Sequence, residues 1–349
     1  MRQRATTRPA SLARVFLYLH VFTALTGCDQ PAQPAAAARS PQAGATFVLI
    51  GPAEHHPQWA AVVGGARRAL RGLPHLDLRV AAAARTGTPA EPDWRARIDA
   101  ELRDPPVALC VFDPEATLAP AELARLERSG GIVVYVGSRR APRDYFAQVL
   151  INWPGAAETL GAALPQLLGE RRTYVLAHER SSGPDAAQRY ERFMPAARRA
   201  FELHLLDEVD LATPDGPARE RVQALFARFP SAALVVTLSP DAWLLNRTTE
   251  PLETGRVFAT LGAPPALWSR LGRDAAALVG PLDGELGAAA IELASRGLSV
   301  DHERGVVRWI DCELVTPPTL RSFAERYARS AGLRVSDLVP AGTLEAVKP

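Results

Sequence analysis

Short apolar runs alternate with segments of helical periodicity along most of this chain, and that alternation limits the folds open to it. The first unit is FVLIGPAEHHPQWAAVVGGARRAL, from Phe47 to Leu70. Phe47 to Ile50 is apolar at every position and rich in β-branched and aromatic types, the pattern of a buried strand. Gly51 and Pro52, both turn formers, end it. A polar loop with His55, His56 and Pro57 follows. Trp59, Val62, Val63, Ala66 and Leu70 then fall at helical spacing, with Arg67, Arg68 and Arg71 on another face. In an open α/β sheet, the loop after a strand's carboxyl end is where ligands sit.

The alternation continues. Strands are predicted at 76–81, 107–112, 132–136 and 146–151, and helices at 94–103 and 120–129. A second series follows, with helices at 156–168, 185–200, 218–228 and 284–296. Its strands are predicted at 173–177, 203–209, 232–238, 256–261 and 276–279, with a weak helix at 265–271. The tail reads as one strand over 305–316 and a final helix over 323–331. Such an order implies mostly parallel sheets covered on both faces, in two similar halves.

The front of the chain reads as targeting rather than fold. Arg2, Arg4, Arg8 and Arg14 precede an apolar run, Val15 to Thr26, too short to read as a spanning helix. It ends in Leu25-Thr26-Gly27-Cys28, which resembles a bacterial lipobox. That resemblance implies acylation of Cys28 and attachment to the periplasmic face of a bacterial membrane. An ordinary secretory signal with an incidental thiol is the other reading. Residues 29–45 are rich in Pro, Ala and Gln with little to bury, and read as a disordered tether.

The chain has 40 basic and 38 acidic side chains, so no nucleic-acid footprint stands out. Besides Cys28 only Cys110 and Cys312 are present, read as buried thiols or as one pair. No Cys or His spacing fits zinc, and no cofactor is expected. A nucleophile elbow and a phosphate loop are missing, so an enzyme is not expected. Glu54 with His55 is the one acid–base pair worth naming; solvated loop side chains are its plainer reading.

The run from Phe47, with His56-Pro57-Gln58-Trp59 and Gly64-Gly65-Ala66, resembles the first βα unit of type I periplasmic binding proteins, the ribose-binding group. The resemblance extends to about Gly297. It implies an α/β fold of two Rossmann-like lobes joined by a three-crossing hinge, with crossings near Ile151, Gly280 and Asp311. One lobe is expected from 46–151 with 281–311, the other from 152–280 with 312–349. A DNA-binding repressor on the same core is not expected, because a signal segment stands where its helix-turn-helix would be.

The family's ligand residues carry over one at a time. The sugar-stacking aromatic pair matches Gln58 and Trp59, of which only Trp59 is aromatic; a lobe-core role is its alternative. The Asp-Arg after the fourth strand matches Ser138 and Arg139, followed by Arg140. An Asp-Asn in the second lobe matches the run that begins at Asn152. The Arg of an R-x-x-G-F run matches Arg189, with a surface helix Arg as alternative. An Asn-Asp after the Ala232 strand matches Ser239-Pro240, then Asp241. Most acceptors of a sugar binder are therefore replaced while Arg139, Arg140, Arg143 and Arg189 gather, a trend that suits a carboxylate or phosphate on the ligand.

The resemblance implies a solute-binding lipoprotein of a sugar-type ABC transporter. Its ligand would be a sugar or related small polar, even anionic, molecule, delivered to a permease. The alternative is a degenerate sensory or interaction module that presents its lobes to a membrane receptor or kinase.

Overall fold

The computed structural model describes residues 45–52, 56–83, 85–86, 91–104, 106–114, 117–129, 131–137, 139, 146–200, 202–212, 218–239, 257–298 and 304–347. Cys28, Ser138, Arg140, Arg143, Asp241 and the Glu54–His55 pair lie outside these residues. The first series contains β1 (Ala45–Gly51), α1 (Trp59–Leu70), β2 (Leu76–Ala82), β3 (Arg85–Thr86), β4 (Glu91–Pro92), α2 (Trp94–Leu102), β5 (Ala108–Phe112), α3 (Pro120–Arg128), β6 (Ile132–Gly137) and β7 (Ala147–Ile151). The second contains α4 (Trp153–Leu168), β8 (Thr173–His178), α5 (Pro184–Arg198), β9 (His204–Asp210), α6 (Ala218–Arg228), β10 (Leu234–Thr237), β11 (Val257–Leu261), α7 (Pro265–Trp268) and β12 (Ala275–Pro281). Then come α8 (Asp283–Arg296), β13 (Val306–Ile310), β14 (Cys312–Val315), α9 (Leu320–Ala331) and α10 (Thr343–Ala346).

Among the described residues the strands form two six-stranded sheets, in the orders β13-β7-β6-β5-β1-β2 and β14-β12-β11-β10-β8-β9. The β3–β4 pair is a small separate hairpin that the sequence pattern does not reveal. Within the large sheets every pairing is parallel except β12 with β14. The fold is thus α/β with two mostly parallel sheets, one per lobe, as the alternation requires.

Each sheet is covered on both faces. In the first, Phe47 and Leu49 face the cluster that holds α1 and α8, while Val48 and Ile50 face Trp94, Ile98 and Leu126 of α2 and α3. All four strand residues are fully buried. In the second, Leu176 and Val236 face Leu160 and Phe193 of α4 and α5. Val175 and Val235 turn the other way, toward Val222, Trp268, Phe323 and Tyr327. This period-two switch between two apolar covers is why these strands read as unbroken apolar runs. Each large buried side chain removes enough apolar area to contribute about 1.5–3 kcal/mol before entropy is counted.

Among the described residues the chain passes between sheets at three places. The strand β7 ends at Ile151 and α4 begins on the other sheet, β12 is followed by α8 on the first, and β13 gives way to β14. The tail differs from the single strand predicted over 305–316. Asp311 splits it: β13 pairs with β7 in the first sheet and β14 with β12 in the second. The apolar run continues through the break, so periodicity alone does not mark it. The weak helix predicted over 265–271 covers only Pro265–Trp268.

Helix α9 shows apolar periodicity at Leu320, Phe323, Ala324, Tyr327, Ala328 and Ala331, all buried. Its ring residues pack on Trp268 within the second lobe. Its last turn also reaches the first lobe, where Arg68 donates to the Arg329 carbonyl at 3.2 Å. Gly64 and Gly65 of α1 make the approach possible. A Cβ on Gly64 would collide with the Ala331 carbonyl, and one on Gly65 with that of Gly284. Small residues at both contacts let the backbones of α1, α8 and α9 close on each other.

Candidate functional site

Because the crossings follow the carboxyl ends of β7 and β12, those ends border the junction between the lobes. In a doubly wound sheet that edge is the ligand crevice. Two of the residues singled out from the sequence meet there in the second lobe. Arg189 on α5 is largely buried, and its Nη2 donates to Oε2 of Glu179 at 3.3 Å. Ser239, fully buried just beyond β10, donates its hydroxyl to Oε1 of the same carboxylate at 2.7 Å. Glu179 immediately follows β8. One carboxylate thus joins donors from two other segments of the same lobe.

No motif in the sequence marks Glu179. Its signal was positional: a charged residue one step beyond a buried strand, on the crevice edge. Beside it, His178 is buried, and its Nδ1 accepts from the Arg180 backbone N–H at 3.2 Å. Burial holds the imidazole below its ordinary range, against the upward pull of Asp210 and Glu208. Tyr190 sets its ring edge-on to His178, donates to Glu208 at 2.9 Å and lies under the Arg180 guanidinium.

Arg139 follows β6 in the first lobe. Its Nε stands 3.5 Å from Oδ1 of Asp185, at the start of α5 in the second lobe. Its guanidinium also covers the ring of Trp309 on β13, at 5.4 Å. The pair is exposed, so its energy in water is small, about 0–1 kcal/mol.

Asn152 sits in the hinge. Its Oδ1 caps α4 by accepting from Gly155 N–H at 3.0 Å, its Nδ2 donates to Asp311 at 3.0 Å, and its backbone N–H donates to Ile310 at 2.9 Å. Trp59 packs in the first lobe's core, 5% exposed and stacked on Phe112 with centroids 6.1 Å apart. Gln58 is buried, and its Nε2 donates to Oδ1 of Asp283 at 2.9 Å. The hydroxyl of Tyr327 donates to Oδ2 at 2.6 Å. Burial pushes the Asp283 carboxyl up to about 7, although both hydrogen bonds favour the charged form. The structure therefore gathers Arg189 and Ser239 on one carboxylate, places Arg139, Asn152 and Gln58 at separate points around the junction, and packs Trp59 into the first lobe's core.

A void of ≈ 10 Å³ lies between the lobes against Gln58, Trp153, Gly262, Pro264 and Asp283. That is about the room for one water. A larger groove of ≈ 530 Å³ runs along α4 and α5 on the outside of the second lobe, lined by Glu158, Gln188, Arg192 and Arg199. It includes neither Arg189 nor Glu179, so the crevice edge is the better candidate. Among the described residues no group of three or more His, Cys, Asp or Glu could hold a metal ion. Cys110 and Cys312 are both free thiols.

No family model matches the sequence, and no curated protein matches it either. Solved structures do match the fold. A solute-binding protein of an ABC transporter from Agrobacterium vitis, bound with α-D-tagatopyranose, superposes with a TM-score of 0.64 at 13% identity, over 81% of this chain and 98% of its own. A periplasmic ribose ABC transporter protein from Conexibacter woesei gives 0.62 at 16% identity, over 82% and 96%. A solute-binding protein from Bacillus halodurans with bound myo-inositol gives 0.60 at 13%, over 81% and 98%. The two-lobed α/β architecture is that of type I periplasmic binding proteins, including sugar-binding proteins of ABC transporters.

Proposed function

We propose that this chain is a solute-binding protein of a sugar-type ABC transporter, taking a small polyhydroxylated molecule between its lobes. The observation that carries the reading is the set Glu179, Arg189 and Ser239 on the crevice edge. It offers a partly exposed carboxylate acceptor, held from behind by the buried Ser239 hydroxyl, beside the edge of a guanidinium, and sugar hydroxyls need both donors and acceptors. The gathering of arginines alone favoured an anion. Glu179 on Arg189 and Asp185 by Arg139 balance two of those charges and shift the preference to a neutral sugar or polyol.

In this reading Cys28 carries the lipid anchor, the residues between it and β1 form the tether, and the lobes work at the periplasmic face beside a permease. Among the described residues no helix is long and apolar enough to cross a membrane. Ser138, Arg139 and Asn152 join the ligand set as the lobes meet, and Gln58 and Trp59, packed inside the first lobe, back its wall. Isothermal calorimetry of the full-length protein in detergent, against a panel of pentoses, hexoses and cyclitols, tests the reading. Saturable binding of a neutral member supports it; silence across the panel counts against it.

One observation favours a second reading. Gln58, the match to one of the sugar-stacking residues, is buried and spends its amide on Asp283, as expected of an interaction module that has given up its ligand. Binding of a sensor ectodomain without any solute would support that alternative.

A further inference from the structure

We propose that Glu179 is the residue that sets the charge of the ligand, rejecting anionic solutes in favour of neutral ones. This inference rests on the reading of the crevice edge as the solute site.

Glu179 follows β8, accepts from Arg189 at 3.3 Å and from Ser239 at 2.7 Å, and keeps its side chain about one-quarter exposed. It is therefore neither a sealed core ion pair nor a free surface acid. Arg189 is the more deeply buried partner. A carboxylate with two partners still has lone pairs to offer, since an ionised carboxyl accepts at about four positions. Those suit hydroxyl donors of a solute.

The neighbouring charges point the same way. Around this edge of the second lobe stand the acids Glu179, Asp185, Glu208 and Asp210 and the bases Arg139, Arg180 and Arg189. Arg180 lies over Tyr190, and buried His178 is held toward its neutral form. An incoming carboxylate or phosphate would have to displace Glu179 from Arg189 or sit beside it. Either route brings like charges together in a partly desolvated place, a repulsive element of the kind that specific sites use. A neutral hydroxyl meets no such barrier.

The decisive change is Glu179→Gln. It keeps the shape and one acceptor, removes the negative charge and leaves the Arg189 guanidinium without that carboxylate. The measurement is the affinity ratio of each neutral sugar to its uronate, such as galactose to galacturonate, by calorimetry on the full-length protein. A ratio cancels general damage to the fold, which lowers both affinities. The natural protein is expected to favour the neutral member by about ten-fold or more, the scale of one unfavourable charge contact. Glu179→Gln should collapse that ratio by gaining uronate affinity. Adding Arg189→Met should remove the gain. An unchanged ratio in Glu179→Gln, or a natural protein that prefers the uronate, overturns the inference while leaving the solute-binding reading intact. Silence of both proteins toward every sugar and uronate overturns both.

Discussion

The hydroxyl of Tyr327, on the last long helix, donates to Oδ2 of Asp283 at 2.6 Å, at the point where the chain returns from the second sheet to the first. The other oxygen of that carboxylate takes Gln58 Nε2 at 2.9 Å, from the start of α1. Three helices therefore meet on one buried acid. Removing a donor to a buried carboxylate leaves charge uncompensated, which costs about 1–3 kcal/mol. Tyr327→Phe keeps the ring on Trp268 and deletes only that donor. Its melting temperature should fall at neutral pH, as read by calorimetry or circular dichroism; no change would mean that the hydroxyl contributes nothing to this junction.

Asp283 also makes stability depend on pH. Its folded pKa is about 7, against an ordinary value of 3.8, and burial is the main cause. The folded chain therefore holds this proton more tightly than the unfolded chain does. Its stabilising effect is fully present below about 3.8, declines as pH rises toward about 7, and is lost above that. The upper bound on this swing is about 4 kcal/mol. His178 works in the opposite sense. Its pKa is lowered, so its stabilising effect is present above its ordinary range and lost as pH falls. The difference between the natural protein and Asp283→Asn isolates the aspartate. From pH 5 to pH 8 the natural protein should lose stability relative to the variant, by urea titration at each pH. Parallel curves would remove Asp283 from the pH response.

The approach of α9 to α1 yields a steric prediction. A side chain at Gly64 has nowhere to go, because its Cβ would overlap the Ala331 carbonyl. Overpacking of this kind costs about 1–3 kcal/mol. Gly64→Ala should melt earlier and speed hydrogen exchange in the last turn of α9, residues 327–331, more than in β1. Uniform exchange across both would show that α9 is not held at this contact.

How much of this was legible in the sequence depends on whether a residue's role is local. Phe47 to Ile50 could be read as a buried strand because covers on both faces demand apolar side chains at every position. Helix α9 was legible from its spacing, but its second contact was not, because nothing in a helical period says which lobe will receive Ala331. The break at Asp311 was hidden from periodicity, since each half keeps strand geometry while changing sheets, and only the family resemblance placed a crossing there. Asn152 shows how one polar side chain can serve two ends: its cap on α4 is a local property, its bond to Asp311 is not. Arg189 and Ser239 could be named one at a time, but Glu179, which joins them, depends on three segments far apart in the chain meeting at one edge.

Asn152 supports a prediction of its own. Asn152→Ala removes the Oδ1 that caps Gly155 and the Nδ2 that reaches Asp311. Loss of an N-cap costs about 0.5–2 kcal/mol. The lost stability should be partly recovered by Asn152→Ser, whose hydroxyl can cap but is too short to reach Asp311. Denaturant midpoints would separate the two roles: equal losses for Ala and Ser would assign the effect to the hinge bond rather than to the cap.

The thiols offer a test of packing that needs no ligand. Cys110 is fully buried in β5, its Sγ lies 3.7 Å from the Ala290 carbonyl, and burial pushes its pKa up to about 12. The reactive species is the thiolate, so this residue should resist alkylation in the folded protein. Cys312 is half-buried, and its thiol is also held well above the ordinary range, by burial first and then by Asp283 and Asp311. Iodoacetamide at pH 7.5, read peptide by peptide in a mass spectrometer, should leave Cys110 unmodified until urea unfolds the chain. Cys312 should label slowly, and faster in Asp283→Asn, where one of the charges that opposes its thiolate is gone. Rapid native labelling of Cys110 would mean that the sheet between α1, α8 and its opposite cover opens far more readily than its burial implies.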